Sequence, residues 1–199
     1  MKVLSKTVGA FQENAYLVVD ETTNEAVFID PGAEPDALID LVRQSGAELR
    51  AIWLTHAHLD HVGGIVGVRR VWKVPVHMHP ADRPVLERAP VSAAMYGIPF
   101  EAPDAPDVLI EDGQRLTVGT LAFDVIHTPG HAPGHVVFRN GTMAFGGDLL
   151  FAGSIGRTDL PYADPAAMEE SLEKIAQLDD ATVVHPGHGP VTTIGQEKA

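Results

Sequence analysis

The densest chemistry in the chain lies in one short run, Thr55-His56-Ala57-His58-Leu59-Asp60-His61, followed by Gly63 and Gly64. Three imidazoles and a carboxylate this close together are metal-ligand types. His56 and His58 stand two residues apart, so they share a face only on extended backbone. His58 and His61 stand three apart, a spacing suited to the first turn of whatever follows. Asp60 points elsewhere. One segment therefore offers ligands in two directions, as two adjacent ions would require.

Three further places repeat the pattern. LAFDVI (121–126) leads into His127-Thr128-Pro129-Gly130-His131, TMAFG (142–146) into Gly147-Asp148, and TVV (182–184) into His185-Pro186-Gly187-His188. The first motif itself follows AIWL (51–54). Each is an apolar strand, a Gly or Pro turn, then His or Asp. If these strands are neighbours, their C-terminal ends build one polar site on one rim, the edge where open sheets bind ligands. The candidates are His56, His58, Asp60, His61, His131, Asp148 and His188. A structural zinc takes four ligands and a catalytic one three plus water, so this set suits two ions with a carboxylate between them. With nitrogen and oxygen donors throughout, zinc comes first, and iron or manganese also fit. There is no cysteine, which excludes disulfides, thiolate sites and a cysteine nucleophile.

The elements that must position these residues are short. Strand signals fall at 15–20 and 25–30, with a hairpin between them, and a second hairpin turns near Gly119. Helical patterns cover 35–45, 64–72, 81–88 and 165–178, the last opened by Asp164 as N-cap and Pro165 in the first turn. Strands mixed with helices predict an α/β or α+β fold. Residues 89–107, rich in Pro and Ala, read as a long surface loop, a lid or binding loop. The 199 residues predict a single domain, 1–199. A net charge of −13 argues against nucleic acid or an anionic membrane as partner. No export signal and no membrane-length apolar run is visible, so the expected location is the cytoplasm. The oligomeric state is open.

THAHLDH, TPGH, GGDLLF and HPGHG together resemble the signature set of the metallo-β-lactamase fold superfamily. The likeness runs from NAYLVVD to PGHGPVT and is nearest to the glyoxalase II branch, the hydroxyacylglutathione hydrolases. It implies an αββα sandwich of two mixed sheets flanked by helices. It implies that His56, His58 and His131 hold one divalent ion and Asp60, His61 and His188 a second. Asp148 and a hydroxide would bridge them, with Asp60 and Asp148 as the catalytic carboxylates. Asp30, in IDPG, matches a position behind the ligands. The reaction implied is hydrolysis of a small acyl substrate, first a thioester such as an acylated glutathione.

The chain departs from that branch in two ways. It ends about ten residues after His188, so the helical glutathione-binding domain is expected to be missing, and Gly189 and Pro190 stand where the branch carries a tyrosine. Arg157 and Tyr162 are substrate-contact candidates; an Arg157 contact with Asp159 or Asp164 is the competing reading. Met95, Tyr96 and Phe100 form either an apolar wall over the site or a separate cluster. His135 either braces a ligand or is a buried strand histidine. His77 and His79 read as structural or surface residues, and His127 and His185 as packing residues. A persulfide dioxygenase, with one iron on His56, His131 and Asp148, is the main enzymatic alternative, although the cysteine usual before its Gly-Arg pair is absent. A lactone or ester hydrolase of the same fold is another. A metal-binding module without turnover is the non-enzymatic one.

Overall fold

The computed structural model describes residues 1–198. Its first sheet runs in the order β1 (Lys2–Val8), β2 (Glu13–Asp20), β3 (Glu25–Ile29), β4 (Glu48–Trp53), β5 (Val76–Met78), β6 (Val108–Leu109). The second runs β14 (Thr192–Thr193), β13 (Val183–Pro186), β10 (Met143–Gly147), β9 (Val136–Asn140), β8 (Leu121–His127), β7 (Arg115–Val118). A small hairpin, β11 (Leu150–Phe151) and β12 (Ser154–Ile155), follows β10. Both sheets mix parallel and antiparallel pairs.

The alternation of side chains along the strands accounts for the layers. On β2, Ala15, Leu17 and Val19 join Phe28, Ile52 and the helices α1 (Pro35–Ser45), α3 (Ile65–Val71) and α4 (Arg83–Tyr96) in one core. Tyr16 and Val18 point the other way, with Trp53, Phe123, Phe138 and Phe145, into the core between the sheets. All eight residues of β2 are buried, as expected of a strand covered on both faces. Val137, Ala144 and Val184 face outward from the second sheet onto Met168 and Ile175 of α5 (Pro165–Ala176) and Ile194 of α6 (Ile194–Glu197). The result is the αββα sandwich.

The helix α1 spans its predicted range and stops at Gly46, whose φ of 69° suits a residue without a Cβ. Asp164 caps α5, accepting from the Ala166 and Ala167 amides at 2.9 and 3.2 Å. The expected loop over 89–107 is corrected by α4, which runs to Tyr96 and ends at Gly97. Ala89 and Ala93 bury against the core, and alanine is the strongest helix former. Pro90 sits on the solvent face, where the carbonyl it leaves without a helical donor can reach water. Only 97–107 is irregular.

Candidate metal centre

The four strand ends meet, although they belong to different sheets: β4 comes from the first, and β8, β10 and β13 from the second. Backbone bonds join the rims. Val136 N–H donates to Thr55 O at 2.8 Å, and Asn14 N–H, from β2, to Gly187 O at 2.7 Å. After β4 the chain bends at Thr55, is extended at His58 and then turns into the short helix α2 (Leu59–Val62), which carries Asp60 and His61. This change of backbone sends His56 and His58 one way and Asp60 and His61 the other.

All seven candidate ligands converge. One ring nitrogen each of His56, His58 and His131 lie within 4.8 Å of one another, as do one ligand atom each of Asp60, His61 and His188. Asp148 lies between the groups: Oδ1 is 3.3 Å from His61 Nε2, and Oδ2 is 3.4 Å from His131 Nε2 and 3.5 Å from His188 Nε2.

The outward ring nitrogens are fixed. His56 Nδ1 bonds Thr55 Oγ1 at 3.0 Å, and His61 Nδ1 bonds Asp30 Oδ2 at 3.0 Å. His131 Nδ1 donates to Arg157 O at 2.8 Å, and His188 Nδ1 to Phe11 O at 3.0 Å. With a proton held on each Nδ1, each Nε2 faces inward and is the nitrogen left to bind a cation. His58 instead turns Nδ1 inward, 2.9 Å from His131 Nε2. Tying down the outer nitrogen is how metal-binding imidazoles are oriented. The buried atoms His56 Nε2, His61 Nε2 and Asp148 Oδ1 have no hydrogen-bond partner. Buried polar atoms without partners are costly, and a divalent cation would satisfy all three. The donor set thus fits divalent metal.

Electrostatics divide the groups. Burial, with the neighbouring His61, holds the His56 imidazole well below its ordinary pKa. Burial and then His131 push His58 down to about 3, and burial lowers His131 too. These three are neutral donors at pH 7. In the other group burial also opposes charge on His188, but bonds to Asp148 and Asp60 carry it up to about 9. Burial opposes ionisation of Asp148 as well, yet His61 and His188 hold that carboxyl well below its ordinary range.

The chain matches the family described as "Metallo-beta-lactamase superfamily" over residues 8–188. It belongs to the metallo-β-lactamase superfamily. A "Hydroxyacylglutathione hydrolase GloC" of Haemophilus influenzae is 38% identical over 196 residues, covering 96% of this chain and 92% of that protein. Among solved structures, TTHA1623 in a di-iron-bound form is 46% identical with a TM-score of 0.92, over 98% of this chain and 97% of that one. The BLEG-1 B3 metallo-beta-lactamase is 40% identical with a TM-score of 0.91, over 98% and 96%. ETHE1 from Myxococcus xanthus is 27% identical with a TM-score of 0.83, over 100% and 82%. Membership of the metallo-β-lactamase superfamily makes the chain a metallohydrolase by family. No helix among the described residues is long and apolar enough to cross a membrane.

The other residues singled out from the sequence fall as follows. Asp30 is buried directly behind the ligands: Oδ1 accepts from Thr55 N at 2.8 Å, and Oδ2 takes the Thr55 hydroxyl and His61. His135 is buried between Thr128 Oγ1, at 2.9 Å, and the Asp148 amide, which donates to its Nε2 at 3.1 Å. It holds the backbone of Asp148 and touches no ligand ring through a hydrogen bond. Arg157 and Tyr162 both line the cavity over the centre, but the Arg157 guanidinium pairs with Asp159 at 2.8 and 2.9 Å. Met95 and Tyr96 line the same cavity; Phe100 lines a smaller neighbouring one. His77 packs edge-on against Trp53, His79 stacks on His127, and His185 stacks on Phe145, all apart from the centre.

Sequence reasoning missed three acidic or basic side chains. Asp82 is buried and joins the two ligand loops, accepting from Ala57 N and Gly134 N, each at 2.6 Å. Glu13 is buried at the head of β2 with both carboxyl oxygens unpartnered, and burial raises its pKa well above the ordinary value. A carboxylate opening the run NAYLVVD was its signal. Arg88, on α4, lines the cavity. The reading of 89–107 as loop hid the face it belongs to.

Proposed function

We propose that this protein is a binuclear metallohydrolase that cleaves acyl thioesters, with an acylated glutathione such as S-lactoylglutathione as substrate. His56, His58 and His131 would hold one divalent ion and Asp60, His61 and His188 a second, with Asp148 between the two groups. Zinc is the first candidate. Iron is the second, since the neighbour TTHA1623 has a di-iron-bound form. The observation that carries the reading is the set of inward-facing donors: His56 Nε2, His61 Nε2 and Asp148 Oδ1 are buried without partners, and His58, Asp60, His131, Asp148 and His188 line a cavity of about 320 Å³. The likeness to a named hydroxyacylglutathione hydrolase supports the substrate.

When bound, such cations acidify water toward neutral pH and polarise a carbonyl. The side chains do the rest. Asp148 and Asp60 offset cationic charge and accept hydrogen bonds from the attacking water. Asp30, Thr55 and the Arg157 and Phe11 carbonyls hold the imidazoles in one tautomer. The apolar walls limit bulk water. No acidic side chain is needed to protonate a leaving thiolate, because a thiol already ionises at about 8.5.

The test is thiol release from S-lactoylglutathione by the purified protein, with metal content determined alongside. Asp148→Ala should lose at least about 100-fold in rate and hold less than two ions per chain. Full turnover with two ions in that variant refutes the binuclear reading, and no release from a wild type that holds two ions refutes the thioesterase. The likeness to ETHE1 supports a second reading, a one-iron persulfide dioxygenase on His56, His131 and Asp148. It leaves Asp60, His61 and His188 without a task. Oxygen uptake with a persulfide at one iron per chain would favour it, and turnover of a lactone or β-lactam without thioester cleavage would favour an ester-type or lactamase substrate.

A further inference from the structure

The cavity over the centre has one wall from a single helical face. Val85, then Arg88 and Ala89, then Ser92, then Met95 and Tyr96 of α4 recur every three to four residues and line it. Phe11 closes against the end of this face, its ring 5.2 Å from Tyr96 and edge-on to it. Most of the wall is apolar, so its charged member stands out.

Two arginines line the cavity, Arg88 and Arg157. Arg157 is occupied by the two oxygens of Asp159. Arg88 is not. Its Nε is buried without a hydrogen-bond partner, and among the described residues no carboxylate lies within 4.0 Å of it. The chain carries 27 Asp and Glu against 14 Lys and Arg, so carboxylates are in surplus. Eight of the fourteen cationic side chains find one. A half-buried arginine left without one, on the wall of the reaction cavity, keeps its planar donor fork for a partner that enters the cavity.

We propose that Arg88 is the anion anchor of this site: its guanidinium pairs with a carboxylate on the non-reacting part of the substrate, while the acyl carbonyl lies at the metal centre. The site thereby selects thioesters whose thiol or acyl part ends in a carboxylate over neutral ones. This rests on the thioesterase reading for the identity of the reacting group, but not for the anchor itself. Arg157 contributes to the centre through its carbonyl, which holds His131, and its side chain is secondary in recognition.

The experiment measures binding without turnover. S-hexylglutathione, a thioether with two carboxylates, and its dimethyl ester are titrated calorimetrically into the metal-loaded wild type, Arg88→Met, Arg88→Lys and Arg157→Ala. The wild type should bind the diacid 10- to 100-fold more tightly than the diester, the range expected of a charged, partly desolvated pair. Arg88→Met should lose that preference and keep its metal content. Arg88→Lys, which keeps the charge but not the fork, should retain only part of it and serves if the methionine variant does not fold. Arg157→Ala should keep the preference to within about threefold. A wild type with no preference or no measurable binding, or an Arg88→Met protein that still prefers the diacid, overturns the proposal. A wild type that binds through Arg88 yet releases no thiol from S-lactoylglutathione refutes the thioesterase and leaves the anchor standing.

Discussion

Changing Asp30 to Asn should disable two imidazoles at once, by moving protons rather than atoms. Asp30 accepts three hydrogen bonds, from Thr55 N–H, from the Thr55 hydroxyl and from His61 Nδ1. An asparagine has one acceptor oxygen. That oxygen must face Thr55 N–H, which can only donate. The NH₂ group then takes the place of Oδ2. His61 Nδ1 must become an acceptor, and its proton moves to Nε2, the nitrogen that faces Asp148. The Thr55 hydroxyl now accepts from the amide and turns its own hydrogen toward His56 Nδ1, 3.0 Å away, so His56 too carries its proton on Nε2. One donor is lost from each three-residue group.

The substitution is otherwise gentle. Asp30 has a φ of 50°, a left-handed conformation that asparagine tolerates about as well as aspartate, and the two side chains have nearly the same shape. Loss of a partner behind a ligand typically weakens metal binding 10- to 100-fold, or about 1.4–2.8 kcal/mol per ion. The measurement is a dissociation constant for each ion by competition with a chromophoric chelator, with metal per chain determined in parallel. Long-range ¹H–¹⁵N correlation spectra of the metal-free protein report the tautomers. Wild-type affinity for both ions, or Nε2 unprotonated on both rings, would refute the argument.

Two further outcomes are expected. Burial holds the Asp82 carboxyl up at about 6, against an ordinary 3.8, although the Gly134 and Ala57 amides pull it down. Between those values the folded chain keeps a proton that the unfolded chain has lost, so this group's stabilisation falls as pH rises from 4 to 6 and is level above. Asp82→Asn cannot titrate; in urea unfolding of metal-free proteins, wild type should lose up to about 3 kcal/mol relative to it between pH 4 and pH 7, and a constant or rising difference would contradict this. At Gly32, an added Cβ would collide with the Asp60 carbonyl and the Glu13 carboxylate. Gly32→Ala should cost about 1–3 kcal/mol, lowering the melting temperature by roughly 2–12 °C, and should weaken the ion held by Asp60; an unchanged melting curve and metal content would show that the loops can part freely.

The centre was legible in the sequence because its donors come in short runs, each following an apolar strand. Chain adjacency alone put His56, His58, Asp60 and His61 within a few residues, and their spacing marked the switch from extended chain to helix that α2 shows. What spacing could not give was the pairing of strands. The reading treated the four strand ends as neighbours, whereas β4 lies in the sheet opposite the other three. The ends meet because the two sheets pack face to face through Trp53, Phe123, Phe138 and Phe145. That information is spread over large residues far apart in the chain, and no local pattern holds it.

The errors around residue 89 have the same origin and a larger consequence. Pro90 and the lack of a clear apolar period argue locally against a helix, yet Ala89 and Ala93 allow close approach to the core, and the proline faces water. A helix here places Arg88 and Met95, seven residues apart, on one face over the centre; a loop gives them no fixed relation. Attention went instead to Arg157, in the segment after Asp148, whose neighbour Asp159 lies two residues away in sequence and satisfies it locally. A cation whose partner is close in the chain has its role visible in the sequence. Arg88 has no such partner, and its use follows from the cavity that the fold builds in front of it.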